Sequence, residues 1–157
     1  MLFRSDHAPL LVRARFRAVL WLFARLLPAL IYRKPLNTLL AGADAWPVGR
    51  YPRLPVGYIV KRVRRTTRRP WLMRDRRCLR EGLLAFRFLT AAGYAPELHF
   101  GVERASFPGP RLRAHCWVVA GGATVLNDAG DTMALIHIHR GRAAAPVDGA
   151  LAGASFD

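Results

Sequence analysis

Cysteine, histidine and aspartate, the residue types of a thiol-based acyl-transfer site, occur in the order Cys78, His115, Asp128. The last two flank Gly121-Gly122, which separates two β-rich runs at 112–120 and 123–128. Such a pattern reads as a hairpin with a primed two-residue turn. With Ala120 opposite Ala123, each step away from the turn pairs one residue from each strand. His115 then faces Asp128 directly, with Cβ atoms roughly 4.5–5.5 Å apart. A carboxylate so placed accepts the imidazole N–H, fixes the tautomer and stabilises the imidazolium. A slip of one residue would send the two side chains to opposite faces. In that case Asp131, three residues along, competes for the role, and the pair reduces to two polar groups near a strand end.

Cys78 opens the apolar run 79–93. Asp75 reads as the N-cap and Gly93 as the C-terminal stop, which places Cys78 at the third helical position. A thiol there meets unpaired backbone N–H groups, the positive end of the helix dipole, and the guanidinium groups of Arg74, Arg76 and Arg77; all favour thiolate. Only Arg80, Glu81 and Arg87 interrupt the apolar circumference, so the helix is expected to be central and buried. The ordinary alternative for such a cysteine is a small core hydrophobe. Cys116 is adjacent to His115 on a strand, so its side chain is expected on the opposite face, in the core. The cysteine count alone permits a Cys78–Cys116 disulfide. The chain shows no small-residue cleavage pattern of a signal peptide, so reduced thiols and a cytoplasmic location are the expectation.

An acyl-transfer site also needs donors for the oxyanion. The sequence contains no glutamine and two asparagines, Asn37 and Asn127, which excludes a papain-like glutamine donor. The backbone N–H of Cys78 is the expected first donor, with a second backbone N–H or the indole of Trp71 as the other. Around these residues, 97–103 reads as a strand with Leu98, Phe100 and Val102 inward and His99 outward. The run 132–139 reads as a final strand that puts His137 and His139 on one face. Two histidines without a third ligand at supporting spacing do not make a metal site, so neither metal nor cofactor is expected.

Arg77-Cys78-Leu79, the helix ending in Ala92-Gly93-Tyr94-Ala95-Pro96, then Leu98-His99-Phe100-Gly101-Val102, Ala114-His115-Cys116-Trp117-Val118 and Asn127-Asp128 resemble the stand-alone B proteins of lasso-peptide biosynthesis. These are leader peptidases of the transglutaminase-like superfamily, and the resemblance covers about residues 56–139. It implies an α+β fold, a transglutaminase-like (papain-like) cysteine protease core with the Cys-bearing helix packed on an antiparallel sheet. It also implies Cys78 as nucleophile, His115 as general base and acid, and Asp128 as the orienting acid. The implied partners are a precursor (leader) peptide, a separate leader-recognition protein and the lasso cyclase. Two features depart from the family pattern: Cys116 stands where alanine is more common, and the segment 103–113 before the histidine strand is longer.

Composition bounds the other function classes. The chain has 157 residues and carries 25 basic against 10 acidic residues, a net charge of +15, and only Lys34 and Lys61 of the basic set are lysines. Such an excess suits an anionic partner, though a chain rich in arginine and alanine and devoid of glutamine owes part of it to compositional bias. The densest basic run, 58–69, reads as a helix with Ile59, Val63 and Thr66 on one side. Arg62, Arg65, Arg68 and Arg69 are its candidates for binding a leader peptide or partner, against the plain reading of a solvated face. No aromatic residues interleave with these arginines, which argues against a single-strand stacking platform; a nucleic-acid partner is not the expectation.

The apolar run 16–32 raises a membrane question. Arg17, Arg25 and Pro28 argue against a span; a helix packed on the core is preferred over an interfacial one built from residues 10–32. The Pro- and Gly-rich stretch 42–55 reads as a connecting loop. The expected organisation is an N-terminal helical segment with its loop (1–55), a catalytic core (56–140) and a disordered tail (141–157). Two alternatives to a leader peptidase stand: a transglutaminase-like acyltransferase, and a basic non-catalytic module for nucleic acid or membrane.

Overall fold

The structure, a computed structural model, describes residues 9–52, 54–68 and 76–141. Four helices, α1 (Leu10–Arg33), α2 (Leu36–Asp44), α3 (Val56–Thr67) and α4 (Arg77–Ala92), precede and cover one antiparallel sheet of β1 (Glu97–Glu103), β2 (Ala114–Ala120), β3 (Ala123–Leu126) and β4 (Met133–Arg140). The strand order is β3-β2-β1-β4. Pro9, Pro35 and Pro55 each stand at the N-cap of a helix, where the missing N–H is no loss. The first three residues of the expected 42–55 loop are helical, because α2 continues through Asp44.

The stripe Phe16, Leu20, Ala24, Leu27, Ile31 buries one side of α1, the three- and four-residue spacing of an amphipathic helix. Phe16 sits edge-on to Phe88 of α4 at 5.2 Å and to Tyr51 at 5.5 Å. Arg87 extends this junction: it donates from Nη1 to the Gly42 carbonyl at 3.0 Å and lies 4.0 Å over Trp46 and 4.1 Å over Phe23. Burial holds its guanidinium down to about 10, with Arg50 also lowering it and Tyr51 opposing. Residues of α1 and α2 therefore belong to the same core as those of α4 and the sheet. Residues on both sides of residue 55 thus share one core, and all of the expected 141–157 tail except Gly141 lies outside the described residues. No helix among the described residues is long and apolar enough to cross a membrane.

The α4 helix is the centre of the fold. From Arg80 through Phe86 and from Phe88 through Ala91 every residue is buried, including Arg80 and Glu81. Glu81 accepts the Thr67 hydroxyl at 2.7 Å and the Arg77 Nε–H at 3.0 Å, which binds the end of α3 to the start of α4. Thr67, rather than Thr66, completes the buried stripe of α3 with Ile59, Val60 and Val63. Gly93, at φ +98°, ends α4 as expected, with its N–H on the Thr90 carbonyl and the Tyr94 N–H on that of Leu89. The N-cap is Arg76, in the left-handed region at φ +53°, and Asp75 lies outside the described residues. Cys78 is therefore the second helical residue and not the third.

Gly82 sets how closely α4 approaches the sheet. A Cβ there would stand 2.9 Å from Leu98 Cδ1 and 3.3 Å from Cys116 Sγ. Gly82→Ala gains about 1 kcal/mol of helix propensity but forces buried Leu98 and Cys116 aside, at roughly 1–3 kcal/mol. The expected net effect is a loss of about 1 kcal/mol, read as a lower urea midpoint at unchanged slope. A higher midpoint would show that the two side chains make room freely.

Candidate active site

Cys78 enters the site from the first turn of α4, and β2 meets it with an open edge. The hairpin closes on Gly121-Gly122, both at positive φ (+60° and +80°), as a primed turn requires. Ala120 opposes Ala123 and Val119 opposes Thr124, but Val118 opposes Leu126. Val125 is thus an extra residue, a bulge that shifts the register by one. β3 ends at Leu126 and Asn127 turns away at φ +56°. The stretch 114–117 of β2 therefore pairs with β1 alone.

The bulge removes the expected His115–Asp128 pair. Asp128 is exposed, and its Oδ1 accepts the backbone N–H of Gly130 at 3.3 Å. Asp131 is exposed as well. The partner of His115 is the backbone carbonyl of Asn127, 3.0 Å from Nε2. The Asn127 side chain donates to the Cys78 carbonyl at 3.2 Å, so this residue ties the histidine strand to the cysteine helix. A ring that donates from Nε2 keeps Nδ1 for the thiol. His115 also lies against Trp117, with ring centroids 6.3 Å apart and an interplanar angle of 20°.

The Cys78 thiol is lowered to about 5, and the largest cause is a hydrogen bond from the side chain of Cys116. Burial opposes the shift, while the Cys116 backbone and the charge and hydrogen bond of His115 add to it. The same hydrogen bond, with burial and the neighbouring thiolate, pushes the Cys116 thiol up, so it stays protonated as a donor. Cys116 is in the core as its alternation predicts, at 2% exposure. Its expected separation from the site does not hold, because Cys78 sits at the strand's free edge, within reach of both faces. Both cysteines are free.

Arg76 and Arg77 line the cavities beside Cys78 but are not among the causes of its shift. Arg77 is turned to Glu81, and Arg74 lies outside the described residues. Trp71 lies outside them too. The backbone N–H of Cys78, in the first helical turn, is one that the helix itself does not use, which leaves it free to serve as an oxyanion donor. Sequence reading missed Cys116 and Asn127 as site residues. The signal for the first was its adjacency to His115 on a strand whose partner stops early.

Two cavities meet at Cys78 and His115. One, of about 350 Å³, is walled mainly by apolar groups including Ile31, Leu36, Leu39 and Phe100. The other, of about 430 Å³, is walled by Arg64, Arg68, Arg77, Glu81 and Asn127. Of the basic candidates, Arg68 therefore belongs to the site. Arg62 and Arg65 instead line a separate groove of about 800 Å³ between α1 and α3, with Arg17 and Arg25. Arg69 is outside the described residues. His139 bonds Asp44 at 2.9 Å, His137 lies tilted against Phe100 with ring centroids 5.9 Å apart, and His99 is half-buried on Glu97 at 2.7 Å. Among the described residues no group of three or more His, Cys, Asp and Glu side chains could hold a metal.

A family model described as transglutaminase-like superfamily matches residues 10–139, which includes the N-terminal helices. Neither the comparison with curated proteins nor that with solved structures finds a match.

The coupling of the two thiols has a measurable consequence. Only thiolate is alkylated rapidly, so the rate of Cys78 alkylation by iodoacetamide should rise with pH through about 5 and then level off. Cys116→Ala, which removes the largest cause of the shift, should move the inflection upward, and Cys116→Ser, which keeps a donor, should largely restore it. An inflection unmoved by Cys116→Ala would show that the S–H donor is unimportant.

Proposed function

The chain belongs to the transglutaminase-like superfamily, and from that premise we propose that it is a cysteine endopeptidase that removes the leader from a ribosomally made precursor peptide, in lasso-peptide maturation. Superfamily members are typically cysteine proteases or acyltransferases. The observation that carries the reading is the Cys78 thiol beside His115 on the wall shared by two cavities, where hydrogen bonds from Cys116 and His115 favour the thiolate. The motifs around Cys78, Gly101-Val102 and His115 support the narrower assignment by their likeness to lasso leader peptidases. With that assignment come a separate leader-recognition protein, the cyclase as a neighbour in the pathway, and a cytoplasmic location.

The chemistry follows from the geometry. The Cys78 thiolate attacks the carbonyl carbon of the scissile bond, and the oxyanion forms near the Cys78 backbone N–H. His115, held through Nε2 by the Asn127 carbonyl, gives its Nδ1 proton to the leaving amine as the C–N bond breaks. A water molecule then attacks the thioester, passing a proton to His115. The carboxylic acid leaves and the thiol is regenerated. Asn127 and Cys116 act as positioning residues, the first on the imidazole and the second on the sulfur.

Cys78→Ala should abolish processing of a precursor peptide, and His115→Ala should slow it by roughly 10²–10⁴. Asp128→Ala should retain most of the activity, since its carboxylate is turned to Gly130. Mass spectrometry of the products reads the reaction class: hydrolysis leaves a free carboxylate, whereas transfer attaches an amine. Processing that survives Cys78→Ala would end the peptidase reading. An amine adduct would move the assignment to an acyltransferase.

A further inference from the structure

The two cavities that share Cys78 differ in chemistry. Ile31, Leu36, Leu39 and Phe100 make the first a largely apolar recess, with Lys34 and Arg76 also on its wall. The second brings three guanidinium groups, Arg64, Arg68 and Arg77, to the other side of the same thiol. Its one carboxylate among the described residues, Glu81, is occupied: it is buried, bonded to Arg77 at 3.0 Å and to the Thr67 hydroxyl at 2.7 Å. Among the described residues no carboxylate pairs with Arg64 or Arg68.

Arg64 in the last turn of α3 and Arg68 at its C-cap, still in helical conformation, are four residues apart, so they stand one above the other and repel. A solvated helix face would disperse its charges. Here the α3 arginines divide, with Arg62 and Arg65 towards α1 and Arg64 and Arg68 towards Cys78. An anion between Arg64 and Arg68 would relieve their repulsion and form charge-assisted hydrogen bonds. The apolar recess adjoining the same thiol has no use for a phosphate backbone but suits an aliphatic side chain.

We propose that the substrate is an acidic peptide segment that crosses Cys78 with an aliphatic side chain in the Ile31/Leu36/Leu39/Phe100 recess and a nearby carboxylate on Arg64 and Arg68. This rests on the reading of Cys78 as the thiol that attacks a peptide carbonyl. It adds the selectivity: leucine-sized apolar on one side of the scissile carbonyl and acidic on the other. The two subsites act on binding, so changes in them appear in KM more than in kcat.

The test uses short internally quenched peptides in which one glutamate is scanned across positions on either side of a fixed leucine. The best substrate should lose on the order of tenfold in kcat/KM when its glutamate becomes glutamine, and again when its leucine becomes glycine. With Arg64→Glu/Arg68→Glu the preference should invert, so that the matching arginine peptide becomes the better substrate. Arg64→Gln/Arg68→Gln should simply flatten it. Both arginines are exposed, and the melting curves of the two double variants report whether the fold is kept. A glutamate preference that persists in both variants would overturn the proposal.

Fluorescence anisotropy of the same peptides on Cys78→Ala protein repeats the comparison without turnover. Charge-inverting binding with no cleavage by the wild type would support the docking while ending the peptidase reading. Cleavage by the wild type without charge-dependent binding would do the reverse. Displacement of the peptide by a short oligothymidylate as effectively as by unlabelled peptide would assign the arginines to nucleic acid and overturn the proposal.

Discussion

A thiolate half-buried at a helix terminus needs hydrogen-bond donors, and here the unpaired edge of β2 provides them. Cys116 offers both its backbone and its S–H to Cys78, and His115, one residue earlier, reaches the same sulfur. This depends on β3 stopping at Leu126. Had the hairpin ladder run on to Asp128, residues 114–117 would have spent their edge on a longer β2–β3 ladder, and the Cys78 thiol could not have met that edge. The bulge at Val125 is therefore as much a part of the site as the residues that carry the chemistry.

The same contact fixes the packing of the fold. For Cys78 to reach the edge of β2, α4 must lie close on the sheet, which Gly82 allows over Leu98 and Cys116. A helix so placed is surrounded, and it is buried at eleven of its sixteen positions. The sheet covers one side, and α1, α2 and α3 must cover the others. Phe16, Tyr51, Trp46 and Phe88 close that side, and Arg87 bridges it to the end of α2. This is why residues far from the site in sequence belong to its core, and why the family match begins at residue 10.

The residues that legible signals could place were those governed by local rules. Gly121-Gly122 specified the turn, Gly93 the helix end, and the alternation in 97–103 the inward Leu98 and Val102. A bulge has no comparable signature: Ala123-Thr124-Val125-Leu126 alternates no differently with an extra residue than without one. One unpaired residue was enough to move His115 from Asp128 to the Asn127 carbonyl. Cys116 was misplaced for a related reason. Alternation of faces separates neighbours across a sheet, but it says nothing of an atom that approaches along the edge. The line at residue 55 followed prolines and glycines, which mark the chain's turns and not the limits of a shared core.

His115 rests on a backbone carbonyl where a carboxylate was expected, and this changes how charge is distributed in the site. A carboxylate would orient the imidazole and also supply a full negative charge to its protonated form. A carbonyl orients it with only a partial charge. Stabilisation of the ion pair must then come mainly from the sulfur side, and that is where the structure concentrates its donors, with Cys116 contributing from both backbone and side chain. The two departures from the expected site, a missing carboxylate and an additional thiol, thus compensate one another. With the anionic partner removed from the histidine, the one carboxylate beside the thiol among the described residues is Glu81, which is already held by Arg77 and Thr67. Among those residues the arginines beside the thiol meet no competing free acid, which leaves them open to one that a substrate brings.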